Sequence, residues 1–406
     1  MEELSVERQD RLRAALRRNG LVRRPEILRR YLRRHGLRFT EGNRVHIFAT
    51  GDAGLAAMLT AIEGGTQRIH LETYILRADA IGRRFLAALT HKARGGVSVR
   101  VIYDAVGSLR LDPVELDALR DAGGQVLRFN PLRHLYPQWL PRRRDHRKIL
   151  VVDGRVGFTG GLNIGDEYNA GPGSHRAIWR DTHLQVEGPA VQDLEAVFLE
   201  SWFRSDGSDL PWGQMLGGPP PAVDGERVSV VADGPSYRHR VVRDLVLLAL
   251  ATARRSVCLT SPYFAPDVKV LSGLARAARR GVAVTLLLAG RTDHPILRRA
   301  TRSLLPRLLD AGVVVYEVDA AMLHAKTTVL DDIWAMAGTS NLDRQSFERS
   351  YEVNLVIEGG DVPRQLAALF DADIAAAIRL DAARLARRTL PERLLDRICA
   401  LVLWIV

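Results

Sequence analysis

The apolar positions of this chain fall into short β-branched runs separated by stretches of helical spacing. "RIHLETYIL" (Arg68–Leu76), "RGGVSVRVIYD" (Arg94–Asp104) and "LRDAGGQVLRF" (Leu119–Phe129) each end or begin on such a run, and "GLAAMLTAIEGG" (Gly54–Gly65) carries a helical pattern that stops at glycine. The same series then recurs. "SVCLTSPYF" (Ser256–Phe264), "RRGVAVTLLLA" (Arg279–Ala289) and "LLDAGVVVYEV" (Leu308–Val318) follow in the same order, with "VLSGLARAARRG" (Val270–Gly281) as a matching helix. "WRDTHLQVEGPAV" (Trp179–Val191) and "YEVNLVIEGGDV" (Tyr351–Val362) close the two series.

Strands such as "KILVVDG" are apolar on both faces, which calls for helices on both sides of a sheet. The pattern therefore predicts an α/β protein of two similar α/β/α sandwich lobes, with mixed sheets related by a pseudo-twofold axis. The expected boundaries are a basic helical segment over 1–40, a first lobe over 41–206, a second over 228–380 and a basic, then apolar, tail over 381–406. The Gly- and Pro-rich stretch over 207–227 reads as the linker.

Within each series lies one polar sentence. "DHRKILVVDGRVGFTGGLN" (Asp145–Asn163) and "LHAKTTVLDDIWAMAGTSN" (Leu323–Asn341) share His-x-Lys, four residues, Asp, six residues, Gly-x-x-Asn. His146, Lys148, Asp153 and Asn163 thus align with His324, Lys326, Asp331 and Asn341. Histidine and lysine alternate onto one face of an extended segment, and lysine and asparagine suit an oxyanion, most naturally phosphate. No acids stand at metal-ligand spacing, so no metal and no cofactor is expected, and positive charge falls to the lysines. Brought together, the copies surround one phosphoryl group: one histidine attacks phosphorus, and the other donates and accepts protons. Asp181 of "WRDTHL" and Glu352 of "YEVNL" are the expected orienters of the imidazoles. Asp153 and Asp331 are counted with the motif's catalytic set. Each precedes a turn, however, and a structural role on local backbone amides is favoured over direct chemistry.

H-x-K-x4-D-x6-G-x-x-N, written twice, resembles the phospholipase D superfamily. From about Val45 to about Glu358 the chain is similar to its bacterial cardiolipin synthase branch. "LETYIL", "HRKILVVDGRVGFTGGLNIGDEY", "SPYFAPD" and "GTSNLDRQSFERSYEVN" carry the likeness. The resemblance implies the phospholipase D fold and a cofactor-free, two-step phosphatidyl transfer through a phosphohistidine. It further implies His146 as nucleophile, His324 as acid and base, and Lys148, Lys326, Asn163 and Asn341 on the phosphate. Thr339 departs from the common Ser, and Gly161 stands at the corresponding place in the first copy, as in the synthase branch. The paired N-terminal membrane helices of longer synthases have no counterpart, which predicts peripheral membrane contact.

Composition and charge then narrow the partner. A 47% hydrophobic, 26% charged chain excludes general disorder, and Cys258 and Cys399, without CxxC, predict neither a disulfide framework nor a zinc site. That fits a reducing, cytoplasmic setting. The net charge of +11 is concentrated: residues 1–40 hold twelve arginines against five acids, leaving +4 for the rest. Such an arm suits an anionic partner or a solvated basic face. The start has no apolar core of a signal peptide, and no stretch reaches the length of a membrane span. "ICALVLWIV" (Ile398–Val406) suits the membrane interface or the protein's own core. "PLRHLYPQWLPRRRDHRK" (Pro131–Lys148), which mixes aromatics with Arg133 and Arg142 to Arg144, suits anionic headgroups or single-stranded nucleic acid.

The leading expectation is a cardiolipin synthase acting on phosphatidylglycerol. It would sit peripherally on the cell membrane at its cytoplasmic side and would not bind nucleic acid. The alternatives are a phospholipid-hydrolysing phosphodiesterase, a nuclease of the same superfamily, and a catalytically inert lipid-binding scaffold. Oligomeric state is not specified by the sequence.

Overall fold

The structure, a computed structural model, describes residues 24–130, 143–169, 178–205, 219–237, 240–386 and 388–405. Pro131–Arg142 of the aromatic–arginine insert, most of the linker and residues 1–23 of the basic arm lie outside the described residues.

The first half contributes β1 (Thr40–Phe48), β2 (Arg68–Thr73), β3 (Ser98–Asp104), β4 (Gln125–Phe129), β5 (Arg144–Asp145), β6 (Ile149–Val152), β7 (Val156–Gly160) and β8 (His183–Glu187). The second contributes β9 (Glu226–Asp233), β10 (Ser256–Ser261), β11 (Phe264–Ala265), β12 (Ala283–Ala289), β13 (Val314–Val318), β14 (Thr327–Leu330), β15 (Trp334–Gly338), β16 (Leu342–Asp343), β17 (Ser350–Glu358) and β18 (Ile378–Leu380). Nearly all join one continuous 16-stranded sheet, in the order β18-β13-β12-β10-β14-β15-β17-β9-β1-β8-β7-β6-β2-β3-β4, with β5 pairing to β17 off this path.

Each half keeps three parallel strands (β2-β3-β4 and β10-β12-β13) away from the centre and an antiparallel meander toward it, with β18 added antiparallel to β13 at the second half's edge. The halves meet where β1 pairs antiparallel with β9, Thr40 opposite Val228 and Asn43 opposite Glu226. Asn43 fastens this seam: its amide donates to the Thr40 and Glu226 carbonyls at 2.9 and 3.3 Å and accepts from Ala190 N–H at 2.8 Å.

The helices are α1 (Arg24–Arg34), α2 (Gly51–Gly64), α3 (Ala80–Arg94), α4 (Asp117–Asp121), α5 (Ala190–Arg204), α6 (Val241–Thr252), α7 (Val268–Arg279), α8 (Pro295–Asp310), α9 (Arg344–Glu348), α10 (Val362–Ala375), α11 (Ala382–Ala386) and α12 (Leu390–Ile405). On one sheet face, α2 and α3 pack over the first half, while α6 and α7 pack over the second. On the other, α5 and α10 share a single apolar core that runs through both halves, from Ile149 and Leu184 to Val353 and Leu366. This shared core explains why strands predicted as two lobes form one body. Each fully buried Leu, Ile or Val withdraws about 1.5–3 kcal/mol of apolar surface from water.

The end of the expected linker and that of the basic segment both take part in the fold. β9 starts at Glu226, inside the stretch assigned to the linker, because Asn43 pairs with that residue. The end of the basic arm is also not free: α1 buries Leu32 in the second half's core, Tyr31 donates to Asp244 at 2.8 Å, and Arg29 pairs with Glu358 at 2.7 Å. Leu32 and the partly buried Tyr31 beside it turn α1 toward that core, and α6 supplies part of the surface that covers them.

Candidate active site

Each motif crosses to the other half before its strand begins. β5 pairs with the start of β17, Arg144 opposite Ser350, and His146 N–H donates to the Tyr351 carbonyl at 2.9 Å. Likewise Arg180 bridges Leu323, and His324 N–H donates to the Arg180 carbonyl at 2.7 Å. The orienting carboxylates are therefore exchanged between halves. His146 Nδ1 lies 3.0 and 3.1 Å from the two carboxylate oxygens of Glu352, and His324 Nδ1 lies 2.7 Å from Asp181 Oδ2. Both carboxylates are fully buried. With Nδ1–H committed to a carboxylate, each imidazole keeps Nε2 for chemistry.

The lysines lie alongside. Lys148 Nζ donates to the His146 carbonyl at 2.8 Å, and Lys326 Nζ donates to that of His324. The electrostatics tie the copies together. Burial presses the His146 pKa down, Glu352 opposes this, and Lys148 and Lys326 add to it. Burial, then Lys326, takes His324 to about 4 despite Asp181. Burial takes Lys148 to about 7 and Lys326 to about 8 against the pull of the neighbouring carboxylates. Burial works to raise Asp181, yet His324 and Lys326 hold it below the usual carboxylate range. These are two neutral-leaning imidazoles and two lysines whose desolvation outweighs the pull of Glu352 and Asp181, the set that an entering phosphodiester anion would complete.

The halves hold their carboxylates differently. Thr339 Oγ1 accepts Val353 N–H at 3.0 Å and donates to Glu352. At the equivalent Gly161 no side chain fits, since a Cβ there would lie 1.9 Å from Asp181 Oδ1. The threonine–glycine difference in the sequence is thus a difference in how each carboxylate is seated.

The asparagines also differ. Asn163 accepts Ile75 N–H at 3.1 Å and donates one amide hydrogen to Tyr168 Oη at 3.0 Å, leaving the other for a ligand. Asn341 Oδ1 is buried without a hydrogen-bond partner among the described residues, and the residue lines the same cleft as Asn163 and both histidines. Tyr168, which sequence reasoning missed, bridges Asn163 to His324 Nδ1, 3.2 Å from the ring nitrogen.

Asp153 and Asp331 each hold a set of backbone amides. Asp153 accepts the backbone N–H groups of Thr66, Gln67 and Arg68 at 2.8 to 2.9 Å; Asp331 accepts those of Arg254, Arg255 and Ser256. Both occupy the left-handed region, with φ of 53° and 50°, at the first central position of the turn after β6 or β14. Through these bonds they clamp the hairpin onto the start of β2 or β10. The carboxylates are occupied by amides because the turn aims them at the neighbouring strand's first N–H groups.

Arg147, between His146 and Lys148, points away from the cleft and is fully buried. It donates to Ser201 Oγ at 2.8 Å, Tyr237 Oη at 3.0 Å and the Glu352 carbonyl at 3.4 Å, and so anchors the backbone of the carboxylate that holds His146. Alternation along the motif was the signal that could have found it, since the residue between two cleft-facing side chains must face the core. Arg144, one of the arginines singled out in the insert, is also buried at the cleft and pairs with Asp104.

The cleft has a volume of about 1190 Å³. Its lining includes Tyr74, His146, Asn163 and Trp179 from the first half and Tyr263, His324 and Asn341 from the second.

Comparison with known proteins agrees with this geometry. The family model described as "Cardiolipin synthase, PLD-like domain" matches residues 58–202 and 246–374, one stretch in each half. The chain is 37% identical over 357 residues to a cardiolipin synthase of Geobacillus sp. (strain WCH70), covering 88% of this chain and 71% of that protein. It is 38% identical over 349 residues to cardiolipin synthase 2 of Bacillus anthracis, covering 85% and 67%. Among solved structures, the phosphatidylserine synthase of Haemophilus influenzae Rd KW20 superposes with a TM-score of 0.69 at 14% identity, over 92% of this chain and 97% of that one, a likeness of fold. With its paired motifs meeting in one cleft, the chain belongs to the phospholipase D superfamily, as a phosphatidyltransferase of the cardiolipin synthase branch.

Proposed function

We propose that the protein joins two phosphatidylglycerol molecules into cardiolipin, releasing glycerol, at the cleft between the two motifs. His146 Nε2 attacks the donor's phosphorus, and the bond from phosphorus to the glycerol headgroup oxygen breaks. The His324 imidazolium protonates that oxygen, and glycerol leaves. The headgroup hydroxyl of a second phosphatidylglycerol then attacks the phosphohistidine, its proton passes to neutral His324, and the P–N bond breaks. Lys148, Lys326, Asn163 and Asn341 carry the phosphoryl charge, and the anion in turn draws the lysines and His324 back toward their charged forms.

The observation that carries this reading is the crossed pairing of His146 with Glu352 and His324 with Asp181, which leaves two Nε2 atoms and two lysines for one site. His146 takes the nucleophile's part because, among the described residues, Glu352 alone holds its Nδ1, whereas His324 has both Asp181 and the Tyr168 hydroxyl to steady a changing charge.

Among the described residues no helix is long and apolar enough to cross a membrane. Peripheral contact is supported by α12. Asp396 and Cys399 face inward, with Asp396 paired to Arg299 and Arg388. Leu390, Leu394, Ile398 and Leu401 form an outer face that is 46 to 78% exposed, beside exposed Arg393 and Arg397. An apolar stripe edged by arginine suits an anionic lipid surface.

The test is to incubate purified protein with phosphatidylglycerol vesicles and read the products by mass. Cardiolipin with glycerol supports the reading. Phosphatidic acid alone replaces it with hydrolysis, and cleavage of DNA without lipid turnover replaces it with a nuclease.

A further inference from the structure

The chemistry of the cleft is duplicated, yet its apolar lining is not. The connection from β3 to β4 in the first half runs through turns and a four-residue 3-10 helix (Pro113–Leu116) into the five-residue α4. The equivalent connection from β12 to β13 is the 16-residue α8, and α12 packs against it. One face of α8, made by Ile296, Leu297, Ala300 and Leu304, lines the cleft that holds both histidines, and Ala400 of α12 lines it too. From Ile296 to Leu304 this track spans about 12 Å of helix. Among the described residues, the first half supplies only Ile75 and Val106 as aliphatic lining.

Two-step transfer at phosphorus does not need this asymmetric surface, because the phosphoryl group is held by the symmetric polar set. An unfilled aliphatic face opening from a polar site leaves apolar surface in water. Ile296 at its mouth is 56% exposed.

We propose that the α8–α12 track receives the acyl chains of the phosphatidyl group that is transferred, so that the donor lipid lies along the second half while its phosphorus sits between the histidines. This rests on the phosphatidyl-transfer reading above. The occupant follows from continuity: the track and the phosphate cradle are one cleft, so what fills the track is joined to the phosphate that fills the cradle. A headgroup without chains would leave it empty. The same helix pair carries the track outward, since α12 presents Ala400 to the cleft and Leu394 and Leu401 to the outside.

The experiment compares dioleoyl- with dihexanoyl-phosphatidylglycerol in detergent, where membrane docking plays no part. Wild type is compared with Ala400→Trp, which narrows the track, and with Leu304→Gln, which makes it polar without adding bulk. Wild type is expected to prefer the long-chain lipid in kcat/KM by at least about tenfold, the equivalent of two buried methylenes. Each variant is expected to lose about tenfold or more on dioleoyl lipid while staying within about threefold of wild type on dihexanoyl lipid. Equal losses on both lipids in both variants, or no loss on either, overturn the assignment of the track. Absence of turnover by wild type on both lipids instead overturns the phosphatidyl-transfer reading, and the track's occupant with it.

Discussion

Replacing Glu352 by Gln tests the orientation of His146 in isolation. Thr339 Oγ1 accepts the Val353 amide, so its own hydrogen points to the side chain at position 352. In Glu352→Gln the new amide oxygen accepts that hydrogen, and the amide NH2 turns toward His146 Nδ1. Nδ1 must then accept, the ring proton moves to Nε2, and the attacking nitrogen is blocked. Loss of one charge-assisted hydrogen bond costs about 1.5–3 kcal/mol, or about 10- to 150-fold in rate. Locking a catalytic histidine in the wrong tautomer can reach about 10⁴-fold. The expected loss in kcat is therefore about 10²- to 10⁴-fold. KM should change little, because Glu352 does not line the cleft. Acid-quenched single turnovers with phosphorus-labelled phosphatidylglycerol read the phosphohistidine directly, and product mass reads the overall rate. Adding Thr339→Val frees the amide to rotate and should recover about tenfold of the loss, the value of one corrected hydrogen bond. A folded Glu352→Gln protein within threefold of wild-type kcat would refute the crossed-pair argument.

Three further outcomes follow from the same geometry. Lys148 and Lys326 are lowered to about 7 and about 8, so their ammonium forms predominate only below those values in the free enzyme. The profile of kcat/KM should fall as pH rises through 7 to 8, while that of kcat should fall at higher pH because the bound anion favours the charged lysines. A kcat/KM that stays flat to pH 10 contradicts this. Asp153→Ala removes the acceptor of three backbone amides and places alanine at φ 53°; unfolding by urea should show a loss of about 2 kcal/mol with kcat nearly unchanged. A tenfold fall in kcat at unchanged stability would return Asp153 to the chemistry. Leu394→Glu with Leu401→Glu should weaken cosedimentation with phosphatidylglycerol vesicles by at least about tenfold and leave turnover in detergent intact; unchanged binding places the membrane contact elsewhere.

The local content of the site was written in the sequence. His146, Lys148 and Asn163 share a spacing with His324, Lys326 and Asn341, and an extended backbone turns that spacing into a face. The turn role of Asp153 and Asp331 was legible because an aspartate at a tight hairpin has strand N–H groups within reach. Glu352 and Asp181 stood out as orienters by their matching places after each motif. Thr339 and Gly161 were visible as a difference, but what they do depends on how close each carboxylate comes, and that is a matter of packing.

Tertiary structure decided which group serves which. His146 is oriented by a carboxylate 206 residues away and His324 by one 143 residues away, each from the opposite half. No local pattern specifies that exchange. It arises because β1 pairs with β9 and α5 and α10 share one core, which brings β5 onto β17 and Arg180 onto Leu323. The docking of α1 on the second half and the length of α8 against α4 belong to the same level: amphipathic spacing announces an apolar side, and only the packed partner determines what covers it. The sequence by itself thus determined a duplicated phosphate chemistry, because catalytic side chains repeat with strand geometry. The twofold packing of the sheet made the two copies one site, because closing contacts so distant in sequence depends on which surfaces bury each other.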